Sequence, residues 1–318
     1  MLIVKTTSLG DVIHNLPVIS DIRSGMPEMQ IDWVVEESFA DIPRLHPGVG
    51  QVITVAMRRW RKQLFSAATR HELSALKQQL RAQHYDLVLD TQGLLKSALI
   101  ARLANAPRHG YDRKSIREPL AACLYEHTHK VPKTLHAVTR IRHLAAAALG
   151  YAAPDSLPDY GISAGTCSNL QLPQRYVIGL HGSSRDSKLW PVEHWITLAE
   201  HLHAKGLALV LPWGNAAEQA RALAIAAQTP QTTVLPKLGL QALAAVIAGA
   251  EAAVGVDTGL MHLAVALKKT SIAIYTDTDP NLTGTCPGPD TIAINLGGID
   301  RIPGTAAVID CLRDQHIL

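Results

Sequence analysis

Residues 252–275 read AAVGVDTGLMHLAVALKKTSIAIY, and this stretch decides the fold. Ala252–Val256 is a short apolar run with no polar interruption, as expected of a strand covered on both faces. Asp257, Thr258 and Gly259 break it with a tight turn. Leu260–Leu267 lacks the alternation of a strand and reads as a helix. Ser271–Tyr275 returns to a strand. A strand, a helix and a second strand joined by such short turns make a parallel βαβ unit, because the crossover helix returns the chain in the same direction.

The alternation extends outward from there. Tyr176–Leu180, Leu207–Leu211 and Thr233–Leu235 read as strands. Helices are predicted from Pro191, at a first helical position, to Lys205 before Gly206, and over Ala216–Ala227 and Leu240–Ile247. In the first half, Leu2–Lys5, Ile31–Val35, Val52–Val55 and Asp86–Asp90 read as strands. Residues 12–24 place Val12, Ile13, Leu16, Ile19 and Ile22 near helical spacing. Further helices fall at His71–Ala82, Leu94–Leu103 and His136–Leu149, the last stopped by Gly150. A polar, Pro- and Gly-bearing stretch, 152–174, reads as a connection. The expected architecture is α/β: two Rossmann-like parallel-sheet domains, residues 1–160 and 161–318, facing a central cleft.

Bulk properties narrow the function. The net charge of the 318 residues is only +3, but it is split. Residues 1–160 hold 20 Lys and Arg against 15 Asp and Glu, and residues 161–318 hold 10 against 12. The halves are thus expected to meet different partners. No apolar run approaches the roughly 18–20 residues of a membrane-spanning helix, and Met1–Lys5 is too short for a signal peptide. Cys123, Cys167, Cys286 and Cys311 form no CxxC pair, which argues against a zinc knuckle or a disulfide frame and fits a reducing compartment. A cytoplasmic protein that visits a membrane surface is expected. An aromatic content of 4% and the lack of RNA-binding motifs argue against nucleic acid.

Several motifs are absent. No GxGxxG follows a strand, and there is no GxxxxGK[ST], HExxH or GxSxG. Residues 277–288, DTDPNLTGTCPG, begin like a calcium loop but carry Leu282 where glycine is needed and Gly288 where the bidentate glutamate belongs. Asp277-Thr278-Asp279 fits either a metal-binding DxD pair or a solvated turn.

What remains lies at strand ends. The start of the helix after Asp257 offers free backbone N–H groups and a dipole that favour an anion. Thr258 adds a hydroxyl, Gly259 lets a ligand approach the backbone, and His262 lies one turn in. The same residues also fit a plain Asp N-cap. LHGSSRDSKLWPVEHW, 180–195, brings Ser183, Ser184, Arg185 and Lys188 after another strand, where Lys acts as a point charge and Arg as a fork. Two such loops on one sheet edge suit a diphosphate. After LPWGN, 211–215, Glu218 can accept from ribose hydroxyls or simply sit at a helix start. In the first half, Asp11 in TTSLGD either caps a helix or takes a proton from an attacking hydroxyl. MRRWRK, 57–62, gathers Arg58, Arg59, Arg61 and Lys62 around one tryptophan. Arg113, Lys114 and Arg117 form a second basic group, and Arg140 and Arg142 a third. These are solvated faces or the contacts of an acidic acceptor.

Taken together, LIVKTTSLGDVIHNLP, DWVVEESFADIP, MRRWRK, DLVLDTQGLLKSA, HGSSRDSKLWPVEHW, LPWGNAAEQ and VDTGLMHLAVAL resemble the lipopolysaccharide heptosyltransferase I family, within glycosyltransferase family 9. The segments run in family order over almost the whole chain. The resemblance implies a GT-B fold and an inverting, metal-free glycosyltransferase with no cofactor. It implies ADP-L-glycero-D-manno-heptose as donor and the first Kdo of Kdo2–lipid A as acceptor, at the anionic cytoplasmic face of the inner membrane. Carried over, it implies Asp11 as general base. Ser183, Ser184, Arg185, Lys188, Asp257, Thr258, Gly259 and His262 would hold the donor's diphosphate and heptose, and Glu218 its ribose. Ser8, Arg58, Arg59, Arg61, Lys62 and Arg117 would meet the acceptor.

The chain departs from the family in three places. Ser183-Ser184 replaces Thr-Thr, Thr270 replaces a proline, and Thr276-Asp277-Thr278 replaces a Gly-Pro-Thr turn. The last two leave the local loop shape open, and the third makes the DxD look like a substitution within a turn. Alternatives are a heptosyltransferase II-type enzyme, a non-catalytic nucleotide-sugar binding protein, or an NAD-dependent nucleotide-sugar epimerase, whose fingerprint this chain lacks.

Overall fold

Leu2–Val4, the first strand (β1), is fully buried between two parallel neighbours, and the first half of the chain is built around it. The computed structural model describes residues 1–63, 65–166 and 170–318. The chain divides into two compact units, Met1–Gly161 and Ile162–Leu318.

In the first unit β1 is followed by α1 (Leu9–His14), α2 (Leu16–Gly25), β2 (Asp32–Glu36), α3 (Asp41–Arg44), β3 (Val52–Val55) and α4 (Met57–Trp60). Then come α5 (Ala67–Ala82), β4 (Val88–Asp90), α6 (Leu95–Ala101), β5 (Arg108–Tyr111), β6 (His127–His129) and α7 (Ala137–Leu149). The strands form one parallel sheet in the order β3-β2-β1-β4-β5-β6. The helix expected over 12–24 is two helices that part at Asn15. Pro17 is the reason: it has no N–H to donate, so it belongs in the first turn of α2 rather than inside a longer helix. Gly150 ends α7 in the left-handed conformation, φ 78°. Arg142 on α7 is buried and grips Asp21 of α2 through two bonds of 2.7 and 2.8 Å. Breaking such a buried pair commonly costs about 3–5 kcal/mol.

The second unit repeats the plan with β7 (Tyr176–Leu180), α8 (Val192–His203), β8 (Ala208–Leu211), α9 (Ala216–Ala226), β9 (Thr233–Val234) and α10 (Leu240–Gly249). It continues with β10 (Ala252–Val256), α11 (Gly259–Ala266), β11 (Thr270–Tyr275), α12 (Pro280–Thr283), β12 (Ala293–Gly297) and α13 (Thr305–Asp314). Its sheet order, β12-β11-β10-β7-β8-β9, is again parallel. Pro191 proves to be the extended residue before α8, not its first helical residue. The core centres on Trp190 and Trp195, which meet edge to face at 5.2 Å. Each buried aromatic removes a large apolar surface from water.

Both sheets run 3-2-1-4-5-6 when numbered from their own first strand. The order reverses between β1 and β4, and between β7 and β10. At such switch points the loops leave the carboxyl ends of the strands in opposite directions and open a crevice. Asp11 follows β1, and Ser183, Lys188, Asp257 and Thr258 follow β7 and β10, beside these two points, whereas the basic turn at 57–62 follows the edge strand β3. Among the described residues no helix is long and apolar enough to cross a membrane. Cys123 and Cys311 are free thiols, and Cys167 lies outside the described residues.

Candidate active site

In the first unit, the loop after β1 carries Asp11. Ser8, not Asp11, is the N-cap residue of α1. Asp11 occupies the third helical position and reaches back to accept from the Ser8 N–H (2.9 Å) and hydroxyl (3.1 Å). This is one half of a capping box, and it aims the carboxylate outward from the first turn. Lys5 stands 3.8 Å from the other carboxylate oxygen, nearly buried at the end of β1. Burial pulls against ionisation of Asp11, but Lys5, the two bonds from Ser8 and Arg117 outweigh it and hold the pKa below the ordinary aspartate value. Burial also lowers the Lys5 ammonium, while Asp11 and Asp90 support its charge. The Asp11 side chain is 36% exposed. It is thus ionised at neutral pH and reachable, as a general base requires.

Ser8 and Thr7 also line a groove of about 790 Å³. Its cations are Arg58, Arg61, Lys62 and Lys96, and its apolar floor is Met57, Trp60, Leu73 and Leu99. Glu36 sets the basic turn. Its buried carboxylate accepts from the N–H groups of Met57 (3.1 Å) and Arg58 (3.2 Å) at the start of α4, where an anion is favoured. Arg58 lies over the Phe39 ring at 5.2 Å. Arg59 points elsewhere. It turns to Glu72 (2.8 and 3.0 Å) and Glu37 (3.4 Å) and is not among the groove's lining residues. Alternating side chains of a short helical turn cannot all face one way. Arg117 is exposed and acts on Asp11 through its charge. Arg140 stacks on Tyr111 and bonds the Ser115 carbonyl, and Arg142 is consumed by Asp21.

In the second unit the loops after β7 and β10 lock together. Lys188 donates to Asp257 at 2.6 Å, and Thr278 donates to the same oxygen at 2.6 Å. Ser183 donates to the Asp257 carbonyl at 3.2 Å. Asp257 therefore binds side chains rather than capping α11; Thr258 holds the N-cap position and Gly259 is the first helical residue. His262 is buried one turn further in. Ser184 and Arg185 are exposed on the β7 loop, with Arg185 3.9 Å from Asp277. His181, at the base of that loop, bonds the Pro212 carbonyl at 3.0 Å. Burial and then Arg221 push its pKa down to about 4, so it is neutral. Glu218 folds back to accept from the Gly214 N–H (2.7 Å) and the Asn215 amide (2.8 Å). A Cβ on Gly182 would come within 2.7 Å of the Glu218 carboxyl carbon, so a larger residue there would push the Glu218 side chain aside.

Asp277 accepts from the Ser187 hydroxyl at 2.6 Å. Asp279 is the N-cap residue of α12 and accepts from Asn281. Asp277 thus ties its turn to the loop after β7 and Asp279 caps its own helix, and among the described residues no group of three or more His, Cys, Asp or Glu is placed to hold a metal.

Sequence reading singled out no role for Lys5, Lys96 or Gln92. Lys5 ends a strand, where a lysine ordinarily reaches solvent; only the neighbouring β4 loop encloses it. Lys96 shares its helix face with Leu99 and Ile100, and the spacing alone marks it as amphipathic rather than as part of a groove.

Two Rossmann-like units, one with an exposed ionised carboxylate beside a cationic groove and one with a diphosphate-suited helix start, define a glycosyltransferase of GT-B type. Residues 73–299 match glycosyltransferase family 9 (heptosyltransferase), and the chain belongs to that family. It is 45% identical over 305 residues to lipopolysaccharide heptosyltransferase 1 of Escherichia coli strain K12, covering 93% of this chain and 96% of that one. Among solved structures it is similar to E. coli heptosyltransferase WaaC with ADP, with a TM-score of 0.91, 42% identity and 98% of each chain covered. WaaC with ADP-2-deoxy-2-fluoro heptose gives a TM-score of 0.88 at 41% identity, with 99% of each chain covered.

Proposed function

We propose that this family 9 enzyme moves L-glycero-D-manno-heptose from ADP-heptose to the first Kdo of Kdo2–lipid A, with inversion and without a metal. The observation that carries this reading is the groove in which Ser8, beside Asp11, opens onto four cations and an apolar floor. Kdo carboxylates and lipid A phosphates are anions on an apolar anchor, and this wall complements both.

The chemistry follows from the charges. The acceptor hydroxyl attacks the anomeric carbon as the bond to the ADP oxygen breaks, and Asp11 receives the hydroxyl proton. Positive charge grows on the sugar and negative charge on the departing diphosphate. Lys188, held by Asp257, the exposed Arg185 and the N–H groups at the start of α11 are donors suited to that diphosphate. These cations stand in for the divalent metal that other glycosyltransferases use. Glu218 faces the ribose hydroxyls in this reading, and His262 the heptose.

The test combines purified protein, ADP-heptose and Kdo2–lipid A, with ADP release and product mass followed against an acceptor-free control. One heptose added to Kdo2–lipid A is the expected result. A second reading, addition of a later heptose, is favoured if only an acceptor that already bears heptose is extended. ADP binding without turnover on either acceptor would leave a nucleotide-sugar binding protein. The same basic wall suits peripheral attachment to the cytoplasmic face of the inner membrane.

A further inference from the structure

Asp11 sits on a loop whose backbone is held from the side by β4. Thr6 and Thr7 follow β1 with their N–H groups pointing at one atom: the Gln92 side-chain oxygen accepts from both, at 3.1 and 3.0 Å. Two donors can be met only by an acceptor, so the amide orientation is dictated by chemistry. Thr6 is fully buried and Gln92 nearly so. On the opposite side the Thr6 carbonyl accepts from the Glu36 N–H at 3.2 Å. The next residue along is Ser8, whose N–H and hydroxyl aim the Asp11 carboxylate.

Gln92 is itself held. The fully buried Asp90 carboxylate accepts from the N–H groups of Gln92 (2.8 Å) and Gly93 (3.1 Å) with one oxygen. The other oxygen accepts from the Tyr125 hydroxyl at 2.7 Å. Gly93 turns the chain at φ +67°, and a Cβ there would come within 3.0 Å of Ile116. Burial raises the Asp90 pKa, and the hydrogen bonds from Tyr125, Ser97, Gly93 and Gln92 oppose that shift and support the carboxylate. The spacing of Asp90 and Gln92 at the end of β4 places one end of this chain of bonds under Tyr125 and the other under the base loop.

We propose that Gln92 is a positioning residue for the general base, oriented by Asp90 and Tyr125, and that it sets the rate of transfer without touching either substrate. The proposal rests on the assignment of Asp11 as base. Gln92 holds Thr6 and Thr7, these fix Ser8, and Ser8 fixes Asp11. Without the amide oxygen, the buried Thr6 N–H and the half-buried Thr7 N–H lose their partner, and the loop must rearrange to reach water or another acceptor.

Steady-state kinetics and amide exchange test this together. Gln92→Leu lowers kcat about 10²-fold, the scale of a small misalignment at a reacting group, while KM for ADP-heptose stays within about threefold. Gln92→Glu keeps an acceptor oxygen in place and recovers kcat to within about tenfold of the parent. Tyr125→Phe cuts one bond further out and costs about three- to tenfold in kcat. In hydrogen exchange without substrate, the Thr6 and Thr7 amides are slow in the parent and in Gln92→Glu, and fast in Gln92→Leu.

Parental kcat in Gln92→Leu, or unchanged protection of Thr6 and Thr7, overturns the proposal. If Gln92→Leu does not fold, Tyr125→Phe with unchanged kcat overturns it equally. The exchange readout uses no substrate. A parent that forms no heptosylated product would therefore end the functional reading while the amides still judge the chain of bonds.

Discussion

The Lys188 ammonium lies 2.6 Å from the Asp257 carboxylate, and each side chain is only about 12% exposed. The pair joins the loop after β7 to the loop after β10 across the switch point of the second sheet. A cation is thereby fixed beside the start of α11 rather than left on a mobile stem, and Asp257 is occupied before any ligand is considered.

Removing the cation tests its role. Lys188→Ala is expected to raise the dissociation constant for ADP-heptose by about tenfold or more, a cost of at least ~1.4 kcal/mol, and to lower kcat as well. Calorimetric titration of the variant checks this. Unchanged donor affinity would remove Lys188 from the diphosphate site.

Asp11 separates binding from chemistry. Asp11→Ala is expected to keep donor affinity within about threefold and to lose about 10²- to 10⁴-fold in turnover; normal turnover rejects it as the base.

Because the pKa of Asp11 is lowered, the stability and the activity that depend on its charge persist at pH values above the ordinary carboxyl range. They fade only as pH falls through the depressed value. Lys5→Met removes the ammonium that opposes the effect of burial. The Asp11 pKa then rises, and the acid limb of kcat/KM moves to higher pH. An acid limb that stays in place would show that Lys5 does not govern the carboxyl.

Arg59 and its neighbours divide the basic turn. Arg59→Ala should leave KM for Kdo2–lipid A unchanged, because its guanidinium is engaged by Glu72 and Glu37. Arg61→Ala combined with Lys62→Ala should raise that KM about tenfold. The reverse ranking in acceptor titrations would place the acceptor on the other side of Trp60.

The clustered cations predict salt-sensitive association with anionic vesicles. Each Lys or Arg near such a surface contributes about 1 kcal/mol, and the attraction decays within a Debye length. Co-sedimentation that ignores ionic strength between about 0.05 and 0.5 M would argue against an electrostatic attachment.

Metal dependence is settled by chelation. EDTA is expected to leave turnover intact, and Asp277→Asn to change it little, since Asp277 serves Ser187 and the nearby Arg185. Loss of activity that Mg²⁺ or Mn²⁺ restores would return Asp277 and Asp279 to the reaction.

Most buried strands were legible because parallel strands covered on both faces are continuous apolar runs. Ala252–Val256 and Tyr176–Leu180 were read with the bounds they have. β5, β6 and β12 were not. β5 and β6 are Arg-His-Gly-Tyr and His-Thr-His, whose polar side chains carry no apolar period, and no residue of β12 is fully buried. The loops proposed to hold the donor stood out through hydroxyls, cations and glycine at strand ends. What Asp257 does could not be read, because its partners Lys188 and Thr278 lie far along the chain in opposite directions. Gln92 was hidden for a similar reason. A glutamine in a turn looks like solvent-facing filler until β1 and β4 are side by side.

The placement of the five tryptophans has a spectroscopic consequence. Trp33, Trp190 and Trp195 are sealed in the cores and form a constant background. Trp60 lines the basic groove, with its indole N–H on Glu72 at 2.6 Å. Trp213 stands just before Asn215 and Glu218, with its indole N–H on the Leu235 carbonyl at 2.7 Å. Each unit thus carries its own emitting reporter near its ligand loops. Trp60→Phe and Trp213→Phe would let the arrival of the acceptor and that of the nucleotide sugar be watched separately, by stopped flow and without a label.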